Sequence, residues 1–206
     1  MYIPACFKNN DLNEVRDFLN KNSFGILVSQ INSKFLATHI PLQLDKNEEG
    51  KDVLVGHISK GNPQWKNFTN DSEILAIFSG AHSYISSSWY DHENVPTWNY
   101  IAVHVYGKIK IIEGEKLLNA LKKLVDKYEM NSDKPVSVEK MSEKFIGKEI
   151  KGIVGFEIEI SEIQAASKLS QNRDAVNHKN ITDELEKKED CNSQIIAEEM
   201  KKHKKN

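Results

Sequence analysis

Residues 151–163 alternate strictly, with Val154, Phe156, Ile158 and Ile160 on one side and Glu157, Glu159 and Ser161 on the other. A strand with one dry and one wet face belongs to an antiparallel sheet, because parallel strands are covered on both faces and read as continuous apolar runs. The same period returns from Trp98 onward. Ile101, Val103 and Val105 share one face, and Tyr100, Ala102, His104 and Tyr106 share the other. Further strands are predicted at 24–30, 35–44, 53–58 and 73–79, with a turn at Asn32 and Ser33 joining the first two. Pro41 donates no hydrogen bond, which places the end of the 35–44 segment at a sheet edge or bulge.

Helical spacing is confined to a few segments. Asp11 and Glu14 resemble a capping box ahead of a helix over 11–20, and Leu117, Leu118, Leu121, Leu124, Val125 and Tyr128 stripe a helix over 114–129. Val138, Met141 and Phe145 suggest a short helix, and 174–206 reads as two helices ending in a lysine tail. Six or seven strands without βαβ alternation predict an antiparallel barrel or sandwich with helices at its ends. The expected division is a barrel domain over 1–173 and a helical extension over 174–206.

Composition narrows the function classes. A net charge of −2 over 206 residues gives no pull toward nucleic acid or anionic membrane, and the only arginines are Arg16 and Arg173. Cys6 and Cys191 lack metal-type spacing, no secretory leader opens the chain, and no apolar run reaches membrane-spanning length. The expected protein is soluble and cytoplasmic.

Two stretches carry candidate chemistry. In SKGNPQWKNF (59–68), Asn62 and Pro63 form a helix start after a strand and a glycine turn. Amides at such a start can point at an anion, with the Ser59 hydroxyl and Lys60 ammonium beside them. The stretch 82–104 concentrates Trp89, Trp98, Tyr84, Tyr90 and Tyr100 with Ser86, Ser87 and Ser88, and is read as strand, loop, strand. A corner of buried aromatics would account for the same residues. Histidines 39, 57, 82, 92 and 104 show no paired ligand spacing, and the serines lack a glycine-flanked elbow. A phosphate cradle beside stacked aromatics suits a flat, phosphorylated heterocycle.

MYIP at the start, THIPL (38–42), GHISKGNPQW (56–65), YISSSWY (84–90), VPTWNYIAVHVYG (95–107) and KLSQNR (168–173) together resemble the PaiB-type FMN-binding family, whose members are called negative transcriptional regulators. The resemblance spans the chain. It implies an FMN-binding split β-barrel, a homodimer, and flavin at the dimer interface. It also implies cofactor contacts from Thr38, His39, His57, Ser59, Lys60 and Asn62 and from Tyr84, Ser86, Trp89, Thr97 and Asn99, with Lys168, Gln171 and Asn172 closing the site. It assigns no catalytic residue and no metal. Lys60 stands where the family commonly has arginine, exchanging a bidentate phosphate contact for a point charge. DNA binding follows only from the regulator resemblance, and a flavin-dependent oxidoreductase is the alternative reading.

Overall fold

In the computed structural model, residues 1–69 and 72–203 are described; the end of the expected lysine tail lies outside the described residues. Seven strands form one antiparallel sheet: β1 (Phe24–Ile31), β2 (Lys34–Pro41), β3 (Gln43–Lys46), β4 (Asp52–Ser59), β5 (Glu73–Ile85), β6 (Thr97–Ile112) and β7 (Ile153–Lys168). Their order is β2-β1-β5-β6-β7-β4-β3. Although β2 and β4 are far apart in that order, they come into contact, as strands of a curled sheet do. Five helices accompany the sheet: α1 (Leu12–Lys21), α2 (Gly114–Glu129), α3 (Glu143–Ile150), α4 (Ala175–Glu186) and α5 (Cys191–Lys202). None of the described helices is long and apolar enough to cross a membrane.

The chain divides into two compact units. A hairpin unit comprises Leu19–Ile77 and Val105–Ile163, and a terminal unit comprises Met1–Phe18, Phe78–His104 and Gln164–Asn206.

In the hairpin unit, Asn32 and Ser33 take the left-handed conformation at φ 47° and 64°, and the two-residue turn sets the β1–β2 register from Phe24 opposite Pro41 to Ile31 opposite Lys34. The expected 35–44 strand breaks in two. Pro41 cannot donate, and the next amide, on fully buried Leu42, turns away to Ser23 O at 2.8 Å. The chain then pairs with β4 as β3, Gln43 opposite Val55. Gly155 of β7 lets α2 pack close, since a Cβ there would lie 2.4 Å from Leu117 Cδ1. Buried Glu157 takes two cations, Lys110 at 3.0 Å and Lys116 at 2.8 Å.

In the terminal unit, Ile85, Tyr90 and Leu169 share a core with Ile181 and Leu185 of α4 and Ile196, Ala197 and Met200 of α5. The capping box at α1 forms only in half. Asp11 Oδ1 accepts from Asn13 N (2.8 Å) and Glu14 N (3.3 Å), while the Glu14 carboxylate accepts from Asn9 Nδ2 and His203 Nε2. β7 also runs five residues past its expected end, because Ala165 and Ala166 are buried and Ala166 bridges to Lys8. Burial and pairing outweigh the weak strand propensity of alanine there.

Candidate functional site

Six of the expected cofactor residues fall in the hairpin unit. Thr38 and Asn62 converge on Gln64, a residue that sequence reasoning passed over. Thr38 Oγ1 donates to Gln64 Oε1 at 2.6 Å, Asn62 Nδ2 donates to Thr38 Oγ1 at 2.9 Å, and Asn62 Oδ1 accepts from Gln64 N at 2.9 Å. Gln64 is fully buried, and its Nε2 reaches Ser29 Oγ at 2.9 Å and Leu27 O at 3.2 Å. The network ties the turn after β4 to the β1–β2 hairpin. Its only sequence signal was a polar residue one position after an Asn-Pro helix start. His39 lies on the other face of β2, exposed and stacked 6.4 Å from the Phe24 ring. His57 is half-buried on β4, and burial pushes its pKa down, so its imidazole is neutral at pH 7.

The helix expected after Asn62 is a single 3-10 turn, Pro63–Asn67, closed by Phe68 N to Trp65 O. Asn62 caps it and Pro63 opens it, as expected. The three amides just ahead of it are taken within the protein. Lys60 N donates to Gly152 O (2.8 Å), Gly61 N to Ser59 Oγ (3.3 Å), and Asn62 N to Ser59 O (2.9 Å). An anion beside this turn meets the exposed Lys60 ammonium.

The other eight fall in the terminal unit. Asn99 is fully buried and exchanges hydrogen bonds with the Ser170 hydroxyl at 3.0 and 3.1 Å. Gln171 spends both ends on nearby backbone, accepting from Leu169 N and donating to Ser167 O. Ser86 caps the 3-10 turn Ser87–Trp89, and the Trp89 ring sits 5.1 Å from Lys188 Nζ. Tyr84 is exposed and meets Trp98 edge-on at 5.9 Å, with His82 on the same indole at 6.0 Å. Asn172 is exposed.

Lys168 differs from these. Its ammonium donates to Thr97 Oγ1 at 2.5 Å, is half-buried, and has its pKa pushed down by burial and by the Arg173 guanidinium. Arg173 lies 5.0 Å from the Tyr90 ring. Neither cation has a carboxylate partner among the described residues. Asp174, the nearest acid in the chain, is committed to the first amides of α4, Val176 N and Asn177 N. Two cations without a carboxylate partner, one of them bound to a threonine hydroxyl, are donors of the kind that suit a phosphate.

Residues 1–162 match the family described as "Putative FMN-binding domain". Protease synthase and sporulation protein PAI 2 of Bacillus subtilis is 45% identical over 200 residues, covering 97% of this chain and 96% of its own. The chain belongs to the PaiB-type FMN-binding family. FMN is the cofactor of that family and of this chain. An uncharacterised Saccharomyces cerevisiae protein, YKL070W, is 29% identical over 170 residues, covering 70% of this chain and all of its own. Two solved structures share the split-barrel fold. The flavocytochrome Anf3 of Azotobacter vinelandii has a TM-score of 0.58 at 17% identity, covering 78% of this chain and 69% of its own. The FAD and heme binding protein of Mycobacterium smegmatis has a TM-score of 0.57 at 12% identity, covering 78% and 73%.

Proposed function

We propose that this chain is an FMN-binding homodimer that holds its flavin at the contact between two copies, with residues 1–173 as the flavin barrel and 174–206 as a helical extension. The observation that carries this reading is an uncovered apolar sheet face in the hairpin unit. Ile26 of β1 stands opposite His39 of β2 and Ile77 of β5, and Val28 stands opposite Ala37 and Leu75. Phe24 and Phe35 flank them, 64% and 74% exposed. Side chains on facing registers share one side of a sheet, so this is one surface, and an apolar surface of that extent favours a partner over water. A second copy presents the same surface, which is what a two-fold interface uses.

In the terminal unit, Lys168 and Arg173 are the cations we assign to the flavin phosphate, with the Thr97 hydroxyl accepting from the Lys168 ammonium. Bound FMN supplies electron transfer through its isoalloxazine ring; the chain supplies orientation and charge. Asn99, bound to the Ser170 hydroxyl, and Gln171, bound to nearby backbone, are neutral amides and carry no proton step of their own.

The role we assign is regulatory, as in the PaiB-type family, and exercised through the flavin rather than by reading DNA alone. Two arginines and a net charge of −2 leave few cations to displace phosphate counterions from a duplex. Titration of the purified chain with FMN, followed by flavin fluorescence, is expected to reach saturation at one FMN per chain. The same protein is expected to bind specific and random duplex alike, weakly and with strong salt dependence. Failure to bind FMN overturns the cofactor assignment for this chain, and nanomolar, sequence-specific DNA binding by the isolated protein overturns the indirect role.

A further inference from the structure

The hairpin unit holds a second cavity, which shares only Lys60 with the expected flavin contacts. Three segments converge there: the turn after β4, the junction of β6 with α2, and the junction of α3 with β7. Together they enclose about 340 Å³. The turn is stapled to the start of β7 by Lys60 N to Gly152 O at 2.8 Å. The floor is apolar, formed by Ile112 and Leu117, 5% and 4% exposed, with Ile153 beside them. Trp65 forms a wall. Its indole N–H, the only polar atom of that side chain, donates to Lys60 O at 2.9 Å, so the cavity meets ring and not donor.

Charge is the discriminating feature. Lys60 and Lys151 both line this cavity, both are exposed, and neither has an ion-pair partner among the described residues. Glu113 is the one carboxylate in the lining, which leaves a net positive site over an apolar floor. A larger cavity of about 450 Å³ on the same unit has the opposite character. Its lysines are already neutralised, Lys123 by Asp45 at 2.5 Å, Lys46 by Asp52 at 2.6 Å and Lys116 by Glu157 at 2.8 Å. An anion gains little there. At the smaller cavity it gains two ammoniums and loses no protein contact.

The geometry points to a second ligand site between Trp65, Ile112, Leu117 and Lys151, which takes a small, flat, apolar molecule carrying one carboxylate. The volume sits at the small end of ligand pockets, about 300 to 1,000 Å³, which suits one or two fused rings. Ring area meets Trp65 and the aliphatic floor, and the carboxylate meets Lys151 and Lys60. Apart from Lys60, the site uses none of the residues assigned to the flavin.

The test uses FMN-saturated protein and 2-naphthoate, with neutral 2-naphthamide as the uncharged isostere, followed by amide and indole NMR shifts. Saturable shifts are expected at the Trp65 indole and at Gly114, Gly152 and Gly155, with FMN retained. Naphthamide is expected to bind about tenfold more weakly, the loss of one charge-assisted contact. Lys151→Ala is expected to reduce naphthoate to the affinity of naphthamide without changing FMN affinity. Ile111→Trp, which fills the cavity from an exposed rim position, is expected to abolish binding. Equal affinity for the two probes, an unaffected Lys151→Ala or Ile111→Trp variant, shifts centred elsewhere, or displacement of FMN by naphthoate overturns the inference.

Discussion

At the scale of single residues, the decisive quantity is whether a charge has been neutralised. Glu157 is the clearest neutralised one, with its side chain 2% exposed between Lys110 and Lys116. Burial alone would raise its pKa, but hydrogen bonds and attraction from the two ammoniums outweigh that and hold it below the ordinary carboxylate range. A carboxylate whose folded pKa lies below its unfolded value stabilises the fold fully above the unfolded value, about 4.3, and loses that contribution as pH falls through the folded one. Glu157→Gln is therefore expected to destabilise the protein at pH 7 by about 3 kcal/mol, because two lysines are left facing an amide. Urea unfolding at pH 7 and pH 3 checks this: the gap between variant and wild type should shrink at the lower pH, and an equal gap at both contradicts the ion-triad account. Lys168 is the opposite case, a cation left without an acid. Lys168→Ala is expected to weaken FMN by about 1–3 kcal/mol and riboflavin far less, since the two ligands differ only by the phosphate. Equal losses for both flavins would show that Lys168 holds some other part of the ligand.

At the scale of elements, the helices show how much of the terminal unit depends on its C-terminal segment. Leu185 of α4 is fully buried among Ile85, Leu169 and Met200, whereas Ile195 of α5 is 44% exposed. Leu185→Ala is expected to cost about 2–5 kcal/mol, and Ile195→Ala less than about 1 kcal/mol, by denaturant midpoint. Similar costs for the two would mean that α4 and α5 are not the lid of that core. These helices, α2 and nearly every strand were legible in the sequence, because period 2 and period 3.6 record which face is dry. What was not legible depended on partners remote in sequence. Pro41 marks the interruption locally, but nothing local says that the chain then leaves β1 for β4, or that alanines 165 and 166 are strand. The candidate site divided on the same line. Asn62 as a cap was readable from Asn-Pro, but not Gln64 reaching across to β1 or the partners that take the amides of Lys60, Gly61 and Asn62 ahead of the turn. Lys168 came to the site through the KLSQNR resemblance and not through a local signal, since a lysine five residues from an arginine acquires meaning only when the loop between them turns at Ser170, with φ 60°.

At the scale of the whole molecule, the question is what covers the face of β1, β2 and β5. Ile26, Val28, Leu75 and Ile77 are each only half-buried although they sit mid-strand, between registers that bring their side chains to one side of the sheet. These four keep only a fraction of the roughly 1.5–3 kcal/mol that full burial of such a side chain gives, so the exposed Phe24 and Phe35 contribute the larger share toward association. A charge placed at its centre must be either desolvated or exposed by separation of the copies. Ile26→Asp changes one half-buried residue and leaves the buried partners Leu27 and Ile74 untouched, so the single copy is expected to fold. Sedimentation at micromolar concentration should then show wild type as a dimer and Ile26→Asp as a monomer with an unchanged far-ultraviolet spectrum. If flavin sits between the copies, the two equilibria are linked: FMN must tighten the wild-type dimer, and the monomeric variant must lose FMN affinity although it retains Lys168 and Arg173. A wild-type monomer in saturating FMN would remove the shared-site reading, and a monomeric variant with full FMN affinity would place the flavin wholly within one chain.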